Sequence, residues 1–155
     1  MFYGCEKLSE WKVPTKNLQY GTEMFQYCSM LNEYYHDLPN MTIGNHMFHG
    51  CKNMSTFYSD LSSLTDAKYM FFDNFKLDYF YGNTKNLKNC YNMFSNCVLL
   101  SDFYSNLPSI VDGNYMFYNC TAFTGLSKFD VNDFKKMKTA KYMFHNCKNL
   151  TEFNY

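Results

Sequence analysis

Arginine is absent from the 155 residues, and all fourteen basic side chains are lysine. Arginine's planar guanidinium is the favoured partner of phosphates and base edges, and no basic stretch here exceeds Lys135-Lys136. With a formal net charge of zero as well, the chain is not expected to bind nucleic acid. No run approaches the roughly 18 apolar residues of a membrane span, so direct membrane insertion is not expected. The N-terminus lacks a basic region followed by an apolar run, and so does not read as a signal peptide. There is no Cys-x-x-Cys among the seven cysteines, the nearest pair being Cys90 and Cys97. His46 and His49 share a three-residue spacing, but no third ligand stands beside them, whereas zinc takes three or four. No Ser/His/Asp or Cys/His grouping and no glycine-rich phosphate loop can be assembled. No catalytic residue, metal or cofactor is therefore expected.

What is present is repetition. The dipeptide Met-Phe occurs at 1, 24, 47, 70, 93, 116 and 143, a spacing of 23 residues broken once by 27. A fixed period of this size marks a repeat architecture. Numbering each unit from its Met, the second position is Phe throughout, and the fifth is Cys in six units with Asn74 the exception. The eleventh runs Trp11, Tyr34, Phe57, Phe80, Phe103, Leu126 and Phe153, and the twenty-first is always small. The reading is a single solenoid over 1–155 of seven units starting at those seven Met residues, the last truncated. Its aromatic content of 21% suits a stack in which each coil buries its apolar face against the next. The Cys column falls on that apolar face, where a thiol behaves as a small hydrophobe. No polar capping unit is visible, which suggests a piece of a longer protein or a subunit whose ends are covered by partners.

From the eighteenth position into the fifth of the next unit, apolar and small residues recur every three or four, as in Leu64, Ala67, Met70, Phe71 and Asn74. That spacing predicts a short helix. The ninth to thirteenth positions, as in Ser55-Thr56-Phe57-Tyr58-Ser59, predict a short strand with one inward aromatic. Turn formers such as Pro14, Pro39-Asn40 and Pro108-Ser109 lie between them. The expected fold class is thus an α/β repeat solenoid of leucine-rich-repeat type, with one short parallel strand and one short helix per coil of about 23 residues.

The closest internal matches, Tyr115-Met116-Phe117-Tyr118-Asn119-Cys120 and Tyr142-Met143-Phe144-His145-Asn146-Cys147-Lys148-Asn149-Leu150, carry a resemblance. The unit Tyr-Met-Phe-x-x-Cys-x-x-Leu is similar to that of the BspA-like leucine-rich-repeat surface proteins of bacteria. The resemblance covers the whole chain. It implies a scaffold at the cell surface or secreted, several members being associated with adhesion.

The twelfth position carries the functional expectation. It reads Lys12, Tyr35, Tyr58, Tyr81, Tyr104, Ser127 and Asn154. If the eleventh points inward, strand alternation sends the tenth and twelfth outward. The four Tyr, flanked by Glu33, Tyr79 and Asp102, would form a ridge for a protein or carbohydrate partner. Cross-strand support of the sheet is the competing role for the same rings. The alternative function is a structural or assembly subunit, in a surface layer or phage particle, that self-associates through its coil ends. In that case a cytoplasmic or virion-associated location applies.

Overall fold

The computed structural model describes residues 1–125 and 134–151. Four short strands, β1 (Glu33–Tyr34), β2 (Thr56–Ser59), β3 (Tyr79–Gly82) and β4 (Asp102–Phe103), form one parallel sheet in chain order. The register pairs Phe57 with Phe80 and Phe80 with Phe103, one repeat apart, so each strand lies on its own counterpart in the next coil. A second parallel ladder of single bridges runs from Tyr20 through Ile43, Asp66, Asn89 and Asp112 to Thr139. The stack of coils and the parallel strands are as expected. In the first unit, positions 9–13 form no strand, and the eleventh and twelfth positions of the last two units lie outside the described residues.

Two ring columns fill the interior. The second-position Phe residues, from Phe2 to Phe144, stack ring on ring with centroids 5.3–5.7 Å apart and planes within 13°. Tyr34, Phe57, Phe80 and Phe103 make a second column at 5.2–5.6 Å. The two columns meet edge to face, as Phe57 does on Phe71 at 4.8 Å. Stacked contacts along each column and T-shaped contacts between columns are the two arrangements the ring quadrupole favours.

The predicted helix does not form, and among the described residues there is no α-helix. Its place is taken by consecutive turns. Met24 N–H bonds to Gly21 C=O, Cys28 N–H to Phe25 C=O and Leu31 N–H to Cys28 C=O. The third residues of the first two turns, Glu23 and Tyr27, have φ of 56° and 61°. A positive φ at that place is the mark of a type II turn, and it breaks any helix. Alternate N–H groups are spent on the next coil instead: Gly21 on Ile43, Glu23 on Asn45, Phe25 on Met47 and Tyr27 on His49. A chain of three-residue turns places apolar residues three or four apart just as a helix does, which is why the spacing misled.

The fifth-position thiols are donors within this stack. Cys28, Cys51, Cys97, Cys120 and Cys147 each direct Sγ at the Phe carbonyl of the preceding coil, 3.0–3.2 Å away. All seven cysteines are free, and only Cys5 is exposed. Asn74 interrupts the column. It is fully buried, its Oδ1 has no partner, and its Nδ2 reaches only Met54 Sδ at 3.8 Å. Replacing Asn74 with Cys restores the thiol column opposite the Phe48 carbonyl and removes an unsatisfied buried acceptor. Urea denaturation of Asn74→Cys should show a gain of roughly 1–3 kcal/mol. A lower urea midpoint than wild type contradicts this account of the column.

Candidate interaction surface

Alternation along the strands does what the sequence implies. Tyr34, Phe57, Phe80 and Phe103 are buried at 1% exposure or less, while Tyr35, Tyr58, Tyr81 and Tyr104 stand 39–56% exposed on the opposite side. Tyr79 is exposed beside them, Glu33 is exposed, and Asp102 is partly covered. The structure therefore places all seven expected residues on one face of the sheet.

The ridge is not a uniform ladder. Tyr58 and Tyr81 stack in parallel, with centroids 5.0 Å apart and planes 4° off. Tyr104 leans across to the tenth-position Tyr79 instead, at 5.6 Å. The Tyr79 hydroxyl, bonded to that of Tyr104, raises the Tyr104 pKa, with the Asp102 carboxylate acting in the same direction. Between Tyr81 and Tyr104 a shallow cleft of about 540 Å³ opens, floored by Gly82 and Ser105 and edged by Asn83 and Asn106. A Cβ on Gly82 would come within 2.9 Å of the Phe80 ring, so a side chain at this floor forces Phe80 to shift.

The turn side carries a second aromatic stripe, which the sequence reading missed. Tyr3, Tyr27, His49 and Phe72 meet in succession at 5.0–5.5 Å. His46, Tyr69, Tyr91, Tyr115 and Tyr142 continue it at 4.8–5.9 Å. No single repeat position is aromatic throughout here; the rings come from four neighbouring positions. The available signal was the Tyr preceding Met-Phe at 69, 115 and 142. His46 Nδ1 and His49 Nδ1 lie 3.2 Å apart, and Gln26 Nε2 is 3.1 Å from His49. Burial lowers both imidazole pKa values, and for His49 the neighbouring His46 adds to it. His36 is tied to the Trp11 carbonyl at 2.7 Å, and His145 stacks on Tyr118. Among the described residues no three His, Cys, Asp or Glu converge on a point that could hold a metal.

This repeat geometry is matched by a known family. The model of the BspA type leucine-rich repeat region matches residues 1–101 and 91–155, in six copies. The chain belongs to this BspA-type family. No curated protein matches it significantly. Among solved structures, a leucine-rich repeat protein from Bacteroides ovatus is similar, at 19% identity and a TM-score of 0.48 over 86% of this chain. The chain spans 42% of the length of that protein. In this BspA-type chain the signature residues Met, Phe, Cys and Leu are interior: Met70, Phe71, Cys97 and Leu100 are fully buried. The family motif thus accounts for the scaffold, and the exposed Tyr residues lie outside it. Among the described residues no helix is long and apolar enough to cross a membrane.

Proposed function

We propose that the chain is a non-enzymatic interaction module, one solenoid of seven units over 1–155, that binds a protein partner through its sheet face. A location at the cell surface or in secreted form follows from the family's habit. The observation that carries the reading is the row of exposed Tyr35, Tyr58, Tyr81 and Tyr104 along one side of the parallel sheet. Tyr offers large contact area and a hydroxyl at low entropic cost. Glycans are the competing ligand. They pack on flat, open ring faces, whereas stacking hides one face of Tyr58 and one of Tyr81.

The test is partner capture by a Tyr58→Ser/Tyr81→Ser variant. A cross-strand aromatic pair is worth about 0.2–1 kcal/mol, so the variant should remain folded. Capture from an extract of the source organism's surroundings should fall to background. Capture at the wild-type level removes the sheet face as the site, and a glycan that binds with the same Tyr dependence replaces the protein partner.

A second reading, assembly through the first coil, has its own observation. Met1 is 92% and Val13 56% exposed, and Phe2, Leu8, Trp11 and Leu18 are only partly covered. Trp11 Nε1 is buried without a partner. On this reading light scattering across a concentration series shows self-association that a Val13→Asp/Trp11→Gln variant abolishes. A wild-type chain that stays monomeric at high concentration argues against assembly.

A further inference from the structure

Charge is distributed unevenly over this neutral chain. The ninth to fourteenth positions of the first five units, 9–14, 32–37, 55–60, 78–83 and 101–106, hold six carboxylates, Glu10, Glu33, Asp37, Asp60, Asp78 and Asp102. Against them stands one lysine, Lys12, already 2.7 Å from Glu10. Six negative charges and one positive leave a formal −5 on these segments, while the whole chain sums to zero. Such a one-signed field steers a partner of opposite charge toward the surface.

The break in the Tyr row lies inside this acidic strip. Tyr58 covers one face of Tyr81, and Tyr104 is drawn onto Tyr79, which leaves the cleft between Tyr81 and Tyr104. Its floor, Gly82 and Ser105, is small, and its rim carries the amides of Asn83 and Asn106. Amide carbonyls accept hydrogen bonds, and an aromatic ring face attracts a cation within about 6 Å. Planar guanidinium groups stack on aromatic faces and donate five hydrogen bonds in the same plane.

We propose that the cleft between Tyr81 and Tyr104 receives an arginine side chain from a cationic polypeptide, so that the sheet face recognises basic proteins. The proposal rests on the reading of the sheet face as the recognition surface, and it supplies the partner's chemical class. Carboxylates bring the basic segment in. The Tyr81 ring and the Asn83 and Asn106 amides then select the guanidinium.

The test is fluorescence anisotropy with a labelled peptide of alternating Arg and Gly, its lysine counterpart, and a citrulline counterpart that keeps the shape without the charge. The arginine peptide should bind at low ionic strength and weaken several-fold toward about 0.15 M salt. The citrulline peptide should not bind, and the lysine peptide should bind more weakly than the arginine one. Tyr81→Thr leaves the charge unchanged and should weaken arginine binding roughly two- to five-fold. Asp102→Asn should weaken it as well, with near-ultraviolet circular dichroism confirming that both variants are folded. Absence of arginine-peptide binding overturns the proposal, as does equal binding of the citrulline peptide. Arginine binding that ignores Tyr81→Thr overturns the cleft as its seat. A non-cationic protein captured through Tyr58 and Tyr81 sinks this inference and leaves the proposed function standing. Capture that ignores those two Tyr sinks the proposed function itself.

Discussion

Raising the pH from 8 to about 10 should strongly destabilise this protein at room temperature. Cys51, Cys90, Cys97 and Cys120 are fully buried, and burial pushes each thiol far above its ordinary value. Cys28 and Cys147 are pushed up to about 11 by the same cause. An unfolded thiol ionises near pH 8.5. Below that pH both states hold the proton, so the thiols give no pH dependence. Above it the unfolded chain binds fewer protons than the folded one, and stability falls as pH rises. By pH 9.5 each of the four deepest thiols should remove about 1–2 kcal/mol, or roughly 5 kcal/mol together. Total stabilities of domains are commonly about 5–15 kcal/mol. Tyr34, whose hydroxyl burial lifts to about 12, adds to the loss above pH 10. Urea midpoints should therefore be flat from about pH 7 to 8 and decline steeply beyond, with a smaller fall below about pH 6.5 from the lowered His46 and His49. A midpoint that holds to pH 10 contradicts the burial of these thiols.

Phe71→Ala should cost roughly 3–5 kcal/mol, the range for truncating a fully buried aromatic. Phe71 is 0% exposed and touches four rings. It stacks on Phe48 and Phe94 at 5.5 and 5.3 Å, and meets Phe57 and Phe80 edge to face. Its removal breaks the second-position column and strips the edge contacts from Phe57 and Phe80 in the other. A solenoid has only nearest-neighbour interfaces to hold it together, so no distant contact compensates. The urea transition should move to lower denaturant and lose its single sharp form as the two halves unfold separately. Tyr58→Ser, on an exposed ring, should cost at most about 1 kcal/mol. Equal costs for the two substitutions contradict the placement of the core.

The columns of the repeat were legible because coil stacking forces the same side chain into the same environment 23 residues later. Phe at the second position, Cys at the fifth and an aromatic at the eleventh are interior for that reason, and Tyr at the twelfth is exposed by strand alternation. The helix was not legible. Residues spaced like Leu64, Ala67 and Met70 satisfy a helix and a chain of turns equally, and what decides is where the N–H groups go. Here Ala67 and Tyr69 donate to Asn89 and Tyr91 of the next coil, a long-range choice that local spacing does not record. Positive φ at Tyr69, Asn92, Asn96, Tyr115 and Asn119 gave a partial signal, since Asn tolerates that region, but Tyr does not advertise it.

The sheet face was legible in outline and not in detail. The tenth and twelfth positions share one side of the sheet, so Tyr79 competes with Tyr81 for Tyr104, and the diagonal pair wins. That competition opens the cleft, and no single repeat position contains it. The carboxylates could have been counted from the sequence, because the strand segments are known once the period is known. The turn-side stripe escaped because its rings are scattered over four repeat positions that only the turn geometry brings together.

The most direct test of the central claim compares the two aromatic surfaces in one capture assay. Wild type, the sheet-face variant Tyr58→Ser/Tyr81→Ser and a turn-face variant Tyr69→Ser/Tyr115→Ser are immobilised at equal density, with their folding confirmed. Loss of partner binding in the sheet-face variant alone is the predicted result. Loss in the turn-face variant alone, with the sheet-face variant binding at the wild-type level, contradicts the account.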